Sequence, residues 1–208
     1  MIGSSIKRAR SVFLLRALSS TLAVVGLLAL GYWAVIYVRA HEYQAQETQR
    51  LANERHMVPD TAPQSRPRPY SATGSVVAMM TIPRLGLSTI VVEGAEEREL
   101  KLGPGHIPGT ALPGEAGNVG VAGHRDTFFR PLRLIRKDDL IGVITHEKEY
   151  LYKVVSTEIV APEDIRVLYP TGRETLTLVT CYPFDFIGSA PKRFIVRADC
   201  ADCEGTTR

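Results

Sequence analysis

From Ala17 to Val38 the chain reads ALSSTLAVVGLLALGYWAVIYV and carries no charged residue. A helix needs roughly 20 apolar residues to cross the hydrocarbon core of a bilayer, so this stretch is expected to span a membrane. It exceeds the roughly 7–15 apolar residues of a cleavable signal peptide, and Tyr32, Trp33 and Tyr37 suit an interfacial aromatic belt at its far end. An uncleaved, single-pass anchor is therefore expected over residues 17–38. Lys7, Arg8, Arg10 and Arg16 precede the run, and mixed charge (Arg39, Glu42, Glu47) follows it. By the positive-inside bias residues 1–16 lie in the cytoplasm, and everything after Val38 lies outside it at the cell membrane.

Beyond the anchor, residues 39–57 are polar and rich in helix formers, which predicts an exposed helical stalk without the apolar stripe of a core helix. Pro59, Pro63, Pro67 and Pro69 then favour an extended linker. At polyproline II rise the segment 59–69 would reach about 34 Å. Stalk and linker thus occupy 39–69, and one globular domain with a polar tail is expected over 70–208. The formal charge of +3 comes largely from the N-terminal basic residues, so the rest is close to neutral. Nucleic-acid binding has little support.

From Tyr70 onward, short β-branched runs alternate with Gly and Pro: 76–82, 87–92, 118–122, 140–145, 151–160, 175–181 and 194–198. These predict an all-β barrel or sandwich. Helical pattern is confined to Glu96–Leu102 and a turn around Phe128–Leu132. There is no internal repeat, no phosphate-binding loop and no set of crossover helices for a parallel α/β fold.

Three cysteines outside the cytoplasm cannot all pair within one chain. Cys200 and Cys203 form a C-x-x-C in a polar tail that offers no further metal ligands, so an oxidised or idle pair is expected there. Cys181 closes the strand TLTLVTC, on the face shared by Thr175 and Thr177 and opposite Leu176 and Leu178. Tyr182-Pro183 ends that strand, so the thiol can sit at a rim. Position alone leaves Cys181 open between a nucleophile and a buried structural cysteine. A thiol with pKa near 8.5 is only a few per cent thiolate at pH 7, so a nucleophile needs a basic or cationic neighbour. His124 in NVGVAGHRD follows a strand of small residues. His106 in GPGHIPGT is the rival base at an apparent turn, and His41, His56 and His146 carry no assigned role. Arg193 opens the strand RFIVRA shortly after Cys181 and could supply a charged fork to an oxyanion at the same rim.

These segments together resemble the sortase family. TLVTC is similar to the family's T-L-x-T-C signature, GHRD to its catalytic-histidine motif, and KRFIV to the segment bearing its essential arginine, in the same order. The resemblance runs from about Ser75 to Ala198, includes MTIPRLGL and GPGHIPGTALPGEAGNVGVAGHRD, and looks most like the class D branch. It implies a closed eight-stranded β-barrel with short helices. It also implies cleavage of an LPxTG-like sorting signal between Thr and Gly through a thioester on Cys181. The acyl group would pass from surface proteins bearing a C-terminal sorting motif to an amine of a cell-wall precursor or pilin subunit. His124 would serve as acid and base, and Arg193 would steady the oxyanion. No third triad member is nominated, and no calcium loop is evident, so neither metal nor cofactor is expected. The alternatives are a hydrolytic cysteine peptidase of the cell wall, and a non-catalytic surface-binding β-barrel with Cys181 paired to Cys200 or Cys203.

Overall fold

Glycine and proline between the β-branched runs cut the chain into strands too short to stand alone, so each must find neighbours around a closed surface. The computed structural model describes residues 3–57 and 72–202. The linker prolines, the expected boundary at Tyr70 and Cys203 lie outside the described residues. Two units are present, 1–41 and 42–208. The first is the beginning of a helix, α1 (Gly3–Met57), whose Leu22, Val25, Leu27, Leu28 and Leu30 are all exposed. Among the described residues, Ser19–Arg50 is the one helix long and apolar enough to cross a membrane. Apolar side chains exposed around a helix suit lipid as the solvent.

The second unit holds β1 (Val76–Ile82), β2 (Leu87–Glu93), the short helix α2 (Glu97–Leu100), β3 (Gly105–His106), β4 (Asn118–Gly123), β5 (Leu140–Ile144), β6 (Glu149–Val160), β7 (Thr175–Tyr182) and β8 (Lys192–Asp202). They close into a barrel in the order β1-β2-β3-β4-β7-β8-β6-β5. All pairings are antiparallel except β2 with β3 and β4 with β7. Met80, Ile82, Ile141, Tyr152, Val154, Leu176, Leu178 and Val196 fill the interior at 0% exposure. Each of the aliphatic and methionine side chains contributes about 1.5–3 kcal/mol by leaving water.

The expected strands are present, and the short helices fall at α2 and at a 3-10 turn over Arg130–Leu134. The strand not foreseen is β3, where the sequence suggested only a turn. Its two residues bridge β2 and β4, Gly105 facing Ala122 and His106 facing Val121. Gly105 cannot be larger, because a Cβ there would lie 2.0 Å from the Gly94 carbonyl oxygen.

So short a strand leaves part of the β2 edge uncovered, and the helix preceding the barrel fills the gap. The Gln44 side chain accepts from the Ile90 N–H and the Thr89 hydroxyl, and its amide donates to Leu102 O at 2.8 Å. Tyr43 packs against Ile90 and Val92. The stalk's lack of an apolar stripe gave no sign of this docking, which uses one amide to satisfy strand-edge groups that would otherwise be unpaired.

The turn entering β5 is fixed electrostatically. Arg84, in the 3-10 turn between β1 and β2, grips both carboxylate oxygens of Asp139, which also accepts the Arg136 N–H at 2.7 Å. Hydrogen bonding to the Arg84 guanidinium holds the Asp139 carboxyl below its ordinary pKa. A depressed folded-state pKa means the contact stabilises the fold above the unfolded value and is lost as pH falls through the folded one. Asp139→Asn should therefore lower the thermal unfolding midpoint at pH 7 by roughly 2–4 °C. That gap to the parent should close on acidification below about pH 4, as thermal melts across pH would record.

Candidate active site

In β4 and β7 side chains alternate across the sheet, and the parallel register sets Asn118 beside Thr175, Gly120 beside Thr177 and Ala122 beside Val179. One step past the last pair, Gly123 with Thr180, the chains arrive at His124 and Cys181. These two therefore emerge on adjacent strands, on the same face and at the same end. On the other side of β7, Cys181 pairs directly with Arg193 of β8. The three residues singled out from the sequence are thus brought to one rim of the barrel.

Local packing explains the His124 side. The Thr180 hydroxyl donates to Gly123 O at 2.7 Å, tying the ends of the two strands together. A Cβ on Gly123 would sit 2.6 Å from the fully buried Phe129 ring, so a residue without a side chain is required immediately before the histidine. The Phe129 N–H then bonds His124 O at 3.0 Å. The imidazole is 32% exposed, and its Nε2 lies 3.8 Å from Glu97 Oε2 of α2. That carboxylate can pair with His124 only when the ring is protonated, and at 70% exposure it is well screened. The sequence nominated no acidic partner, because Glu97 is one of four acidic residues in EGAEERE.

Cys181 is a free thiol, whereas Cys200 is disulfide-bonded. The pairing of Cys181 with Cys200 that an inert barrel could have used is not present. Arg193 donates from Nη1 to Ala190 O and Lys192 O at 3.3 and 3.1 Å and is partly exposed. Arg197, the other arginine on β8, faces Thr177 and bonds Val167 O at 3.4 Å. Four residues of strand, about 13 Å, separate it from the Cys181 rung.

The face leading to the rim is polar yet buried. Asn118 Oδ1 accepts from Thr177 and Thr175 at 2.7 and 3.3 Å, while its Nδ2 donates to Val167 O and Tyr169 O at 2.9 and 3.3 Å. Every bonding position of this amide is filled, so the network fixes both the β4–β7 pairing and the segment before β7. A Cβ on Gly120 would meet Thr110 and Leu168 at 3.0–3.1 Å, which keeps the floor of the face low.

His106 is placed elsewhere, 3% exposed inside the barrel wall. Its Nδ1 shares a hydrogen bond with Glu93 Oε2 at 2.8 Å. Its Nε2 lies 3.0 Å from Ala111 O and 3.1 Å from Thr110 Oγ1, so both ring nitrogens are engaged. The ring thereby pins the turn after β3 to β2. Among the described residues no group of three or more His, Cys, Asp or Glu is arranged to hold a metal ion.

Residues 80–201 match the Sortase domain family. The chain is 35% identical to Sortase D of Bacillus subtilis (strain 168) over 125 residues, 60% of this chain and 63% of that protein's length. It thus spans less than two thirds of that relative. The fold is similar to a Clostridium perfringens Sortase D5 transpeptidase, with TM-score 0.63, 24% identity and coverage of 78% of this chain and 98% of the other. It is also similar to a Clostridium perfringens sortase C solved with the C-terminal cell wall sorting motif, at TM-score 0.60, 23% identity and coverage of 80% and 88%.

The two histidines should separate cleanly in stability. His106→Ala leaves Glu93 buried without its partner and should cost about 3–5 kcal/mol in chemical unfolding. His124→Ala, at a partly exposed rim, should stay within about 0.5 kcal/mol of the parent.

Proposed function

Because the chain belongs to the sortase family, we propose that it is a membrane-anchored cysteine transpeptidase, working outside the cytoplasm on an LPxTG-like sorting signal. The observation that carries this reading is the register in which Cys181 faces Arg193 across β7–β8 while His124 directly follows the strand on its other side. The similar sortase C, solved with the C-terminal cell wall sorting motif, supports a sorting peptide as substrate. The exposed apolar helix supports the anchor, and the basic residues before it support a cytoplasmic N-terminus.

In this mechanism the Cys181 thiolate attacks the threonine carbonyl carbon, and the electron pair moves onto the oxygen. Arg193 donates hydrogen bonds to that oxyanion. As the tetrahedral species collapses, protonated His124 gives its proton to the departing glycine amine, leaving a thioester on Cys181. An incoming amine of a cell-wall precursor or pilin subunit attacks the thioester and loses a proton to His124. Cys181 departs as thiolate, and the new amide is released.

Competition between amine and water distinguishes this reading from a cell-wall peptidase. The full-length protein in detergent micelles, given an LPxTG-type peptide, should form amide product in proportion to added amine. Predominant hydrolysis at saturating amine would favour the peptidase. Arg193→Lys should keep its fold but lose about 10²–10³ in acylation rate, because an ammonium cannot reproduce the planar fork. Arg197→Lys should stay near the parent. Equal tolerance at Arg193 would remove it from the oxyanion role.

A further inference from the structure

Arg125 follows His124 directly, yet its side chain turns away from solvent and is only 9% exposed. Its Nη1 donates to Pro183 O at 2.9 Å, and its Nη2 donates to Phe186 O at 2.5 Å and Gly188 O at 3.0 Å. The guanidinium carbon lies 5.9 Å from the centroid of the Phe186 ring. All three acceptors belong to the connection 183–191, which runs from the Cys181 strand to the Arg193 strand. Within that connection the one main-chain hydrogen bond among the described residues is Phe186 N–H to Pro183 O, at 3.4 Å. Residues 185–189 are exposed, with Ile187 at 97%. A segment so weakly fastened to itself takes its shape from the groups that hold it. The forked cation arriving from the end of β4 takes three of its carbonyls, more than any other side chain among the described residues, while Arg193 takes Ala190 O and Phe184 packs against Phe194.

We propose that Arg125 is a positioning residue that fixes the 183–191 connection as a wall beside Cys181, and so governs how tightly a sorting peptide is held. This rests on the peptide-transfer reading above. Three carbonyls and an aromatic face suit a planar guanidinium, whereas a lysine ammonium is a point charge that cannot span them. Arg125 bonds three carbonyls and faces one aromatic ring, none of them the thiol or the imidazole, so its loss should act on peptide binding before chemistry. The residue also ties the two halves of the site together, since the backbone that carries His124 continues into a side chain hydrogen-bonded to the 183–191 connection.

The test compares Arg125→Lys and Gly188→Ala with the parent, all as full-length protein in detergent micelles. Gly188 has φ +97° with open space where a Cβ would go, so alanine there strains the connection from its own side without a clash. It serves even if the arginine variant does not fold. Amide hydrogen exchange over 184–190 should quicken in both variants while exchange in the β1–β8 strands is unchanged. KM for an LPxTG-type peptide should rise about tenfold or more, with kcat within about threefold. Alkylation of Cys181 by iodoacetamide should keep its rate. Unchanged exchange over 184–190 in both variants would overturn the clamp, whatever the activity. Faster exchange with unaltered KM would overturn its link to peptide binding. A loss confined to kcat with altered alkylation would move Arg125 into the catalytic pair and overturn the proposal too. A parent that turns over no peptide would count against the functional reading alone, because the exchange measurement still decides the clamp.

Discussion

The parallel pairing of β4 with β7 is the contact on which the site depends. A parallel pair cannot be closed by a tight turn, so the chain must travel through β5 and β6 before β7 returns to lie beside β4. That detour brings Gly123 and Thr180, 57 residues apart in sequence, within one hydrogen bond. A slip of one residue would turn Cys181 to the opposite face from His124. The register is guarded at both ends, by the Thr180 hydroxyl at the rim and by the Asn118–Thr175–Thr177 network at the base.

The same strands divide labour between their faces. Leu176 and Leu178 point into the barrel and supply stability, while Thr175, Thr177 and Cys181 line the other face, where the two threonines are buried and Cys181 is partly exposed. The two histidines show the contrast. His106 has both ring nitrogens committed within the wall, whereas His124 keeps its ring partly open beside a screened carboxylate. A ring with all its bonds committed holds a turn in place; one left partly open can exchange protons with a bound group.

Much of this was legible because β-branched alternation and the Gly and Pro breaks report strands directly, and because TLVTC, GHRD and KRFIV place chemistry at strand ends. What was not legible depends on tertiary partners. Gly105 and His106 become a strand only because β2 and β4 flank them, and nothing in GPGHIPGT carries that signal. Gln44 reads as one polar residue among many in a helix-forming stretch, and its docking is decided by an edge that β3 leaves bare. Gly123 reads as one more small residue before His124, whereas its requirement comes from the Phe129 ring packed against it. Glu97 could not be told from Glu93, Glu96 or Glu99 until α2 turned it toward His124.

The most direct test is to trap the acyl-enzyme. The full-length protein mixed with an LPxTG-type peptide without added amine, quenched in acid and digested, should yield a peptide containing Cys181 whose mass is increased by the acyl fragment ending in threonine. The adduct should be cleaved by hydroxylamine, as a thioester is, and should be absent from Cys181→Ala. An adduct on another residue, or steady peptide cleavage by Cys181→Ala, would contradict the account.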